Sequence, residues 1–189
     1  MSSLKRIHIY GHVSAQPQAI ANLFDAQLAS EIVAESDLAI FAINPAAGID
    51  QKTIDQWQAL SDFQLPRLVV VNELDGSDAD FEDAIMLANR VFDQLVTPFL
   101  VLHSESGNPI ALISLSDFQI IDYSTTPPTT SASEPEHQEL VAEFREEYLD
   151  EIAGAGENAF AAGLLFPAVP IVISNGLGID VVKSFIAQL

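Results

Sequence analysis

The earliest residues that could do chemistry follow a short apolar stretch, where "RIHIY" (6–10) runs into "GHVSAQPQAI" (11–20). A strand, a glycine and a helix-like run are the opening of a phosphate-binding loop. In such a loop backbone N–H groups curl around an anion, a lysine reaches the terminal phosphates, and a Ser or Thr holds Mg²⁺. The spacing is present but the chemistry is incomplete, because no lysine stands where the phosphates would need one. The plainer alternative is an ordinary strand–helix turn with Pro17 starting the helix, where its fixed φ and missing N–H cost little.

Other reactive constellations are weaker. Asp78, Asp80 and Asp83 are spaced like metal ligands, but the glycine and terminal glutamate of a calcium loop are missing. Favourable charge at a helix N-terminus accounts for them more simply. No Ser sits in G-x-S-x-G and no His pair has zinc-ligand spacing. The absence of Cys removes disulfides, thiolate metal sites and thiol catalysis. Lys and Arg total 7 against 27 Asp and Glu, a formal charge of −20. The cations, Lys5, Arg6, Lys52, Arg67, Arg90, Arg145 and Lys183, are scattered along the chain. Direct nucleic-acid binding and anionic membrane surfaces are therefore disfavoured. Neither a signal segment nor an apolar run of about 20 residues is visible, so a cytoplasmic location is the expectation.

The elements that must position the loop come from hydropathy. With 189 residues, 49% hydrophobic and 18% charged, the chain suits one folded domain with room for a small appendage. "SDLAIFAIN" (36–44), "PRLVVVNELD" (66–75) and "FPAVPIVIS" (166–174) hold continuous apolar runs, as strands buried on both faces do. Helical stripes follow each of them. These are Ile54, Trp57 and Leu60; then Phe81, Ile85, Ala88, Phe92 and Leu95; then Val181, Phe185 and Leu189. Strands alternating with amphipathic helices predict an α/β fold with a parallel sheet. Trp57 is expected in the core. Residues 96–124 hold three short β-type runs with Gly107-Asn108-Pro109 and Ser116-Asp117 at turns, the pattern of an antiparallel unit. "TTPPTTSASEPE" (125–136) reads as a flexible linker. A helix over 137–154, with Val141, Phe144, Tyr148 and Ile152 on one side, comes next.

Four segments, in order, resemble the G domain of elongation factor G-like translational GTPases, including the actinobacterial elongation-factor-G-like paralogues. "GHVSAQPQ" stands where that family has G-H-V/I-D-A-G-K-T/S. "FAINPAAGIDQKT" (41–53), "PRLVVVNELDGSDADF" (66–81) and "FPAVPIVISNGLGIDVV" (166–182) are similar to its later motifs. The middle is similar to the subdomain that the family inserts before its last strand. The resemblance implies a P-loop NTPase-like three-layer sandwich with a reduced, mostly parallel sheet, in the order 1-4-5-6 of the G domain. The core would be 1–95 and 164–189, and the inserted subdomain 96–163 with its linker at 125–136.

The departures fall on the chemistry. In the degenerate phosphate loop, Gly11, His12, Val13 and Ala15 still follow the family's backbone, and Ser14 stands at the Asp position. Gln16 replaces the inner glycine, Pro17 the lysine and Gln18 the Ser/Thr. The family's switch loop and D-x-x-G-H motif have no counterpart, because only residues 19–37 separate the loop from the second strand. Nineteen residues make one helix of at most about 28 Å. None of His8, His12, His103 or His137 stands in the catalytic position. Phosphoryl transfer needs Mg²⁺, placed water and charge stabilisation, so hydrolysis is expected to be lost and no catalytic or metal-ligating residue is assigned. In the guanine-reading N-K-x-D motif, Asn72 and Asp75 remain while Glu73 replaces the lysine; Ser174 keeps the last motif's serine. The resemblance implies that Asp75 reads the base and Asn72 ties the loop together. The plainer alternative has both residues capping or shaping the turn into the next helix.

The expected function is a degenerate translational-GTPase G domain, acting as a binding or regulatory module without cofactor. The alternative is a GTP-binding elongation-factor-like GTPase, or a fragment of one, using GTP or GDP with Mg²⁺. A decayed reading frame is a third possibility. A protein partner is expected, the ribosome being implied only by the family. The first strand is expected at a bare sheet edge, covered by residues 1–4, by the 19–37 helix, or by a second copy pairing along Arg6–Tyr10.

Overall fold

Apolar runs and turn residues lay down the elements of the computed structural model, which describes residues 3–75 and 79–189. Strand β1 (Ile7–Tyr10) leads through the loop into a short helix, α1 (Pro17–Leu23). A two-residue strand, β2 (Gln27–Leu28), precedes β3 (Leu38–Ile43), all six residues of which are buried. Helix α2 (Gln51–Ser61) turns Trp57 and Leu60 into the core, while Ile54 is half-buried. Strand β4 (Arg67–Val71) is again buried throughout. Helix α3 (Phe81–Val91) starts at a reciprocal cap, in which Asp80 accepts from the Asp83 N–H at 2.9 Å and the Asp83 carboxylate accepts from the Asp80 N–H at 3.3 Å. Its buried stripe is Phe81, Ala84 and Ala88.

Strand β5 (Leu95–Val96) is followed by a meander: β6 (Phe99–His103), β7 (Pro109–Ser114), β8 (Gln119–Asp122) and β9 (Thr129–Ala132). Then come the long helix α4 (Pro135–Ala155), strand β10 (Phe166–Pro170) and helix α5 (Ile179–Ile186). Gly178 precedes α5 at φ 79°, and a Cβ there would lie 1.9 Å from the Pro170 carbonyl oxygen, so no other residue fits.

The main sheet runs β2-β1-β3-β4-β10-β5 with every neighbour parallel. The second sheet, β6-β7-β8-β9, is antiparallel. The four long strands thus take the order the sequence implies, with two short strands added at the flanks. The expected cover of β1 comes from the 19–37 segment, but as a strand and not a helix: β2 pairs with β1 in parallel register, His8 opposite Gln27 and Ile9 opposite Leu28. A second copy pairing along Arg6–Tyr10 would find that edge taken. The 19–37 segment is correspondingly not one helix, since α1 ends at Leu23. Residues 125–136 also differ from a free linker, because β9 pairs there with β8 from Asp122–Thr129 to Gln119–Ala132.

The core centres on rings. Phe41 lies between Tyr10 (5.0 Å) and Trp57 (5.0 Å), Phe92 stacks on Trp57 at 4.4 Å, and Phe166 meets Trp57 edge-on. The buried Arg67 guanidinium sits 4.2 Å from the Trp57 ring and 4.3 Å from the Phe166 ring. It donates to the Trp57 carbonyl and the Ser61 hydroxyl. The second sheet is tied to the segment after β10: the Tyr123 hydroxyl, just past β8, donates to Asp180 on α5 at 2.6 Å, and the Asn175 amide to the Pro109 carbonyl on β7. On α4 only Val141 is fully buried; Arg145 stacks on Phe118 and donates to the Ser116 carbonyl, holding the helix to the second sheet. Among the described residues, no helix is long and apolar enough to cross a membrane.

Candidate functional site

The loop after β1 lies at the C-terminal ends of β1, β3 and β4, where open parallel sheets bind ligands. Gly11 (φ 149°) is required by close approach: a Cβ would come within 2.6 Å of the Ala42 carbonyl oxygen on β3. From there the chain closes on itself. His12 Nδ1 accepts from the Ser14 N–H at 3.2 Å. Residues Val13–Ala15 form a 3-10 turn in which the Ala15 N–H donates to the His12 carbonyl and the Gln16 N–H to the Val13 carbonyl, both at 3.0 Å. Pro17 has no N–H and occupies the first turn of α1. Three successive amides are thus spent inside the loop and the fourth position has none. The concave array of free N–H groups that cradles phosphate is missing from this stretch.

The loop's carbonyls are held from the sheet. Asn44, just past β3, donates to the Ser14 carbonyl at 2.9 Å, and Asn72, just past β4, donates to the Ala15 carbonyl at 3.0 Å. Asn72 is buried at 2% exposure. It makes the tie that the resemblance implies and does not cap α3, which Asp80 does. Gln16 takes the left-handed backbone of the missing glycine (φ 54°) and its side-chain amide donates to the Glu73 carboxylate. Glu73 is left-handed too (φ 63°). Beside the loop, Pro17 is uncharged and Glu73 carries a carboxylate, so these two positions supply no cation. Gln18 donates to Asn22 along α1.

At the far end, Ser174 beyond β10 donates to the Asp75 carboxylate at 3.0 Å. The two positions that the resemblance links to the base are within hydrogen-bond reach of each other, as the adjacency of β4 and β10 allows. Of the acidic triplet, Asp78 lies outside the described residues, and Asp80 and Asp83 form the helix cap. Among the described residues, no group of His, Cys, Asp or Glu could hold a metal ion.

The segment between α1 and β3 is tied down. The Val33 N–H donates to the Tyr10 hydroxyl at 3.0 Å, and Ser36 sits 2.6 Å from His8 Nδ1 while donating to the Val33 carbonyl. Gln56 donates to the Ser30 carbonyl. Burial, reinforced by Arg6, holds the His8 imidazole below its ordinary pKa, and burial pushes Tyr10 up. Between this segment, the loop and α2 lies a cleft of about 360 Å³ reached by Val13, Pro17, Leu28, Asp50 and Lys52. In the sequence Lys52 is one scattered cation among seven. Its position at the start of the helix after β3, on the same sheet end as the loop, is the signal that places it there.

No family model matches the chain. An elongation factor G-like protein of Mycobacterium tuberculosis (strain CDC 1551 / Oshkosh) is 30% identical over 164 residues, covering 76% of this chain and 23% of that protein. The mitochondrial ribosome-releasing factor 2 of Drosophila melanogaster is 25% identical over 123 residues, 62% of this chain and 17% of the relative. The chain thus spans less than a quarter of the length of these relatives. A solved structure from Thermus thermophilus superposes with a TM-score of 0.71 over 82% of this chain and 26% of that one, at 21% identity, which is a likeness of fold. Likeness across three quarters of the sequence, with the loop, the Asn72 tie and the inserted antiparallel sheet all in place, makes this chain a member of the elongation factor G-like family, corresponding to its G domain.

Proposed function

We propose that the chain is a non-hydrolysing G-domain-like module that acts by binding a macromolecular partner. The closed loop carries this reading. Its Ser14, Ala15 and Gln16 amides are engaged internally, and a proline and a carboxylate stand at the two lysine positions. Leaving several phosphate charges without their cation costs about 3–5 kcal/mol at a partly buried site. A base-reading edge alone recovers little of that. No counterpart of the water-positioning switch lies in 19–37, where the structure has α1, β2 and turns.

Thermal unfolding with GTP and with GDP, each with Mg²⁺, tests the reading. A nucleotide at a hundred times its Kd would add about 2.7 kcal/mol, and no shift is expected. A clear shift would sink the proposal in favour of a second reading, an atypical GTP-binding factor. The Ser174–Asp75 pairing at the base-reading edge is the observation that favours that rival. Single-turnover hydrolysis would then be measured. The Drosophila relative's name, a ribosome-releasing factor, points to the ribosome as partner. Co-sedimentation with ribosomes is expected to be independent of nucleotide, and absence from the pellet would remove the ribosome from the proposal.

A further inference from the structure

A second concave site lies away from the loop, between α3 and α4. Phe81, Ile85 and Met86 supply one wall and Phe144 and Tyr148 the other, over a floor that includes Leu95 and Leu100. The residues fall at helical spacing on each wall, so the helices face each other across the cleft. Its volume is about 330 Å³, the lower end of the range for small-ligand sites. Met86 is 56% exposed and Phe144 41%, so both walls keep apolar surface in water.

Three carboxylates stand on this apolar frame: Glu82 on α3, and Glu147 and Glu151 on α4. Among the described residues lining the cleft, none is basic. Gln94 bridges toward α4 by donating to Glu151 at 3.3 Å, and the Asn89 side-chain carbonyl is occupied by the Leu95 N–H. Burial pushes the Glu82 carboxyl up, with Asp80 and Asp83 adding to it and His103 opposing. Burial does the same to Glu151, with Glu147 adding and Gln94 opposing. Beyond the pull of His103 on Glu82, no Lys or Arg among the described residues lines this cleft, in a chain of formal charge −20. Aromatic faces beside carboxylates are the surroundings that an ammonium or guanidinium group favours.

We propose that the cleft between α3 and α4 binds a small amphiphilic organic cation, its apolar or aromatic body between Met86 and Phe144 and its charged head against Glu82, Glu147 and Glu151. This assignment is independent of the function proposed above. The charged head supplies a countercharge that no lining Lys or Arg gives, and the body covers the apolar walls. A neutral ligand would supply only the second, and a purely hydrophilic polyamine only the first.

Titration of the full chain, followed by amide ¹H–¹⁵N spectra, tests it with a matched set of probes: 4-phenylbutylamine, 4-phenylbutanol and spermidine. The amine is expected to bind saturably with a Kd on the order of 1 mM or below, moving amides of 81–89, 94–97 and 144–151. The alcohol is expected at least about tenfold weaker on the same amides. Glu147→Gln/Glu151→Gln is expected to bring the amine down to the alcohol's affinity, and Phe144→Ala to weaken both, with spectra elsewhere unchanged. Equal binding of amine and alcohol, or no saturable binding, would overturn the proposal. So would spermidine shifts as strong and spread over every acidic face, which report only the ion atmosphere. A synthetic 16-residue Lys/Leu amphipathic helix that outcompetes the amine a hundredfold on these amides would replace the small cation with a helical partner.

Discussion

Gln16 and Glu73 show how much one side-chain contact can redirect. Each holds a left-handed conformation that L residues adopt at a cost, and together they close the loop's open side. Neighbouring Gly11 has no such latitude. Gly11→Ala is expected to destabilise the chain by about 2 kcal/mol or more, through the clash with Ala42 and the positive φ; urea melts measure it. His8 gives a pH dependence with a definite sign. Its folded pKa lies below the ordinary 6.5, mainly by burial and then Arg6, against a weaker pull from Gln27. The stability it confers is present above pH 6.5 and is lost as pH falls through the folded value. Acid-side melts of the wild type are expected to fall below pH 6.5 faster than those of His8→Gln. At this scale the loop's position and the Asn72 tie were legible, because motif order fixes them. Arg67 was not legible, because its partners Trp57, Ser61 and Phe166 are brought to it by other elements.

At the scale of elements, the long strands were legible from continuous apolar runs, and their order from the family resemblance. The short ones were not. β2 and β5 have two residues each, too few to show a period. β9 (Thr129–Ala132) is wholly exposed at the sheet's margin, so its Thr and Ser residues carry no burial pattern and read as linker. The stripe through Phe92 and Leu95 was sound as core but not as helix: α3 ends at Val91 and Leu95 enters β5. The reciprocal cap of α3 is local and strong enough to test alone. Asp80→Ala is expected to cost about 1 kcal/mol in chemical denaturation, with the sheet's signal unchanged.

At the scale of the molecule, charge dominates. A formal −20 spread over 189 residues opposes compaction, and salt screens it. Raising NaCl from about 20 mM to about 500 mM at pH 7 is expected to raise the melting temperature by a few degrees, with a smaller gain at pH 5 as carboxylates take up protons. Glu82 and Glu151 act in the opposite sense to His8. Their folded values are raised, so the native chain gains stability as pH falls through them. The difference between wild type and Glu82→Gln/Glu151→Gln should therefore narrow on acidification from pH 7.

The loop's engagement by separate parts of the sheet makes its closed form the joint property of several residues. Restoring a lysine at Pro17 would return a charge to a turn whose amides remain occupied. Restoring a glycine at Gln16 would free the backbone but leave the Glu73 carboxylate facing the same space. Neither change alone both frees the amides and removes the facing carboxylate. Opening the loop to an anion therefore calls for coordinated changes at Gln16, Pro17 and Glu73.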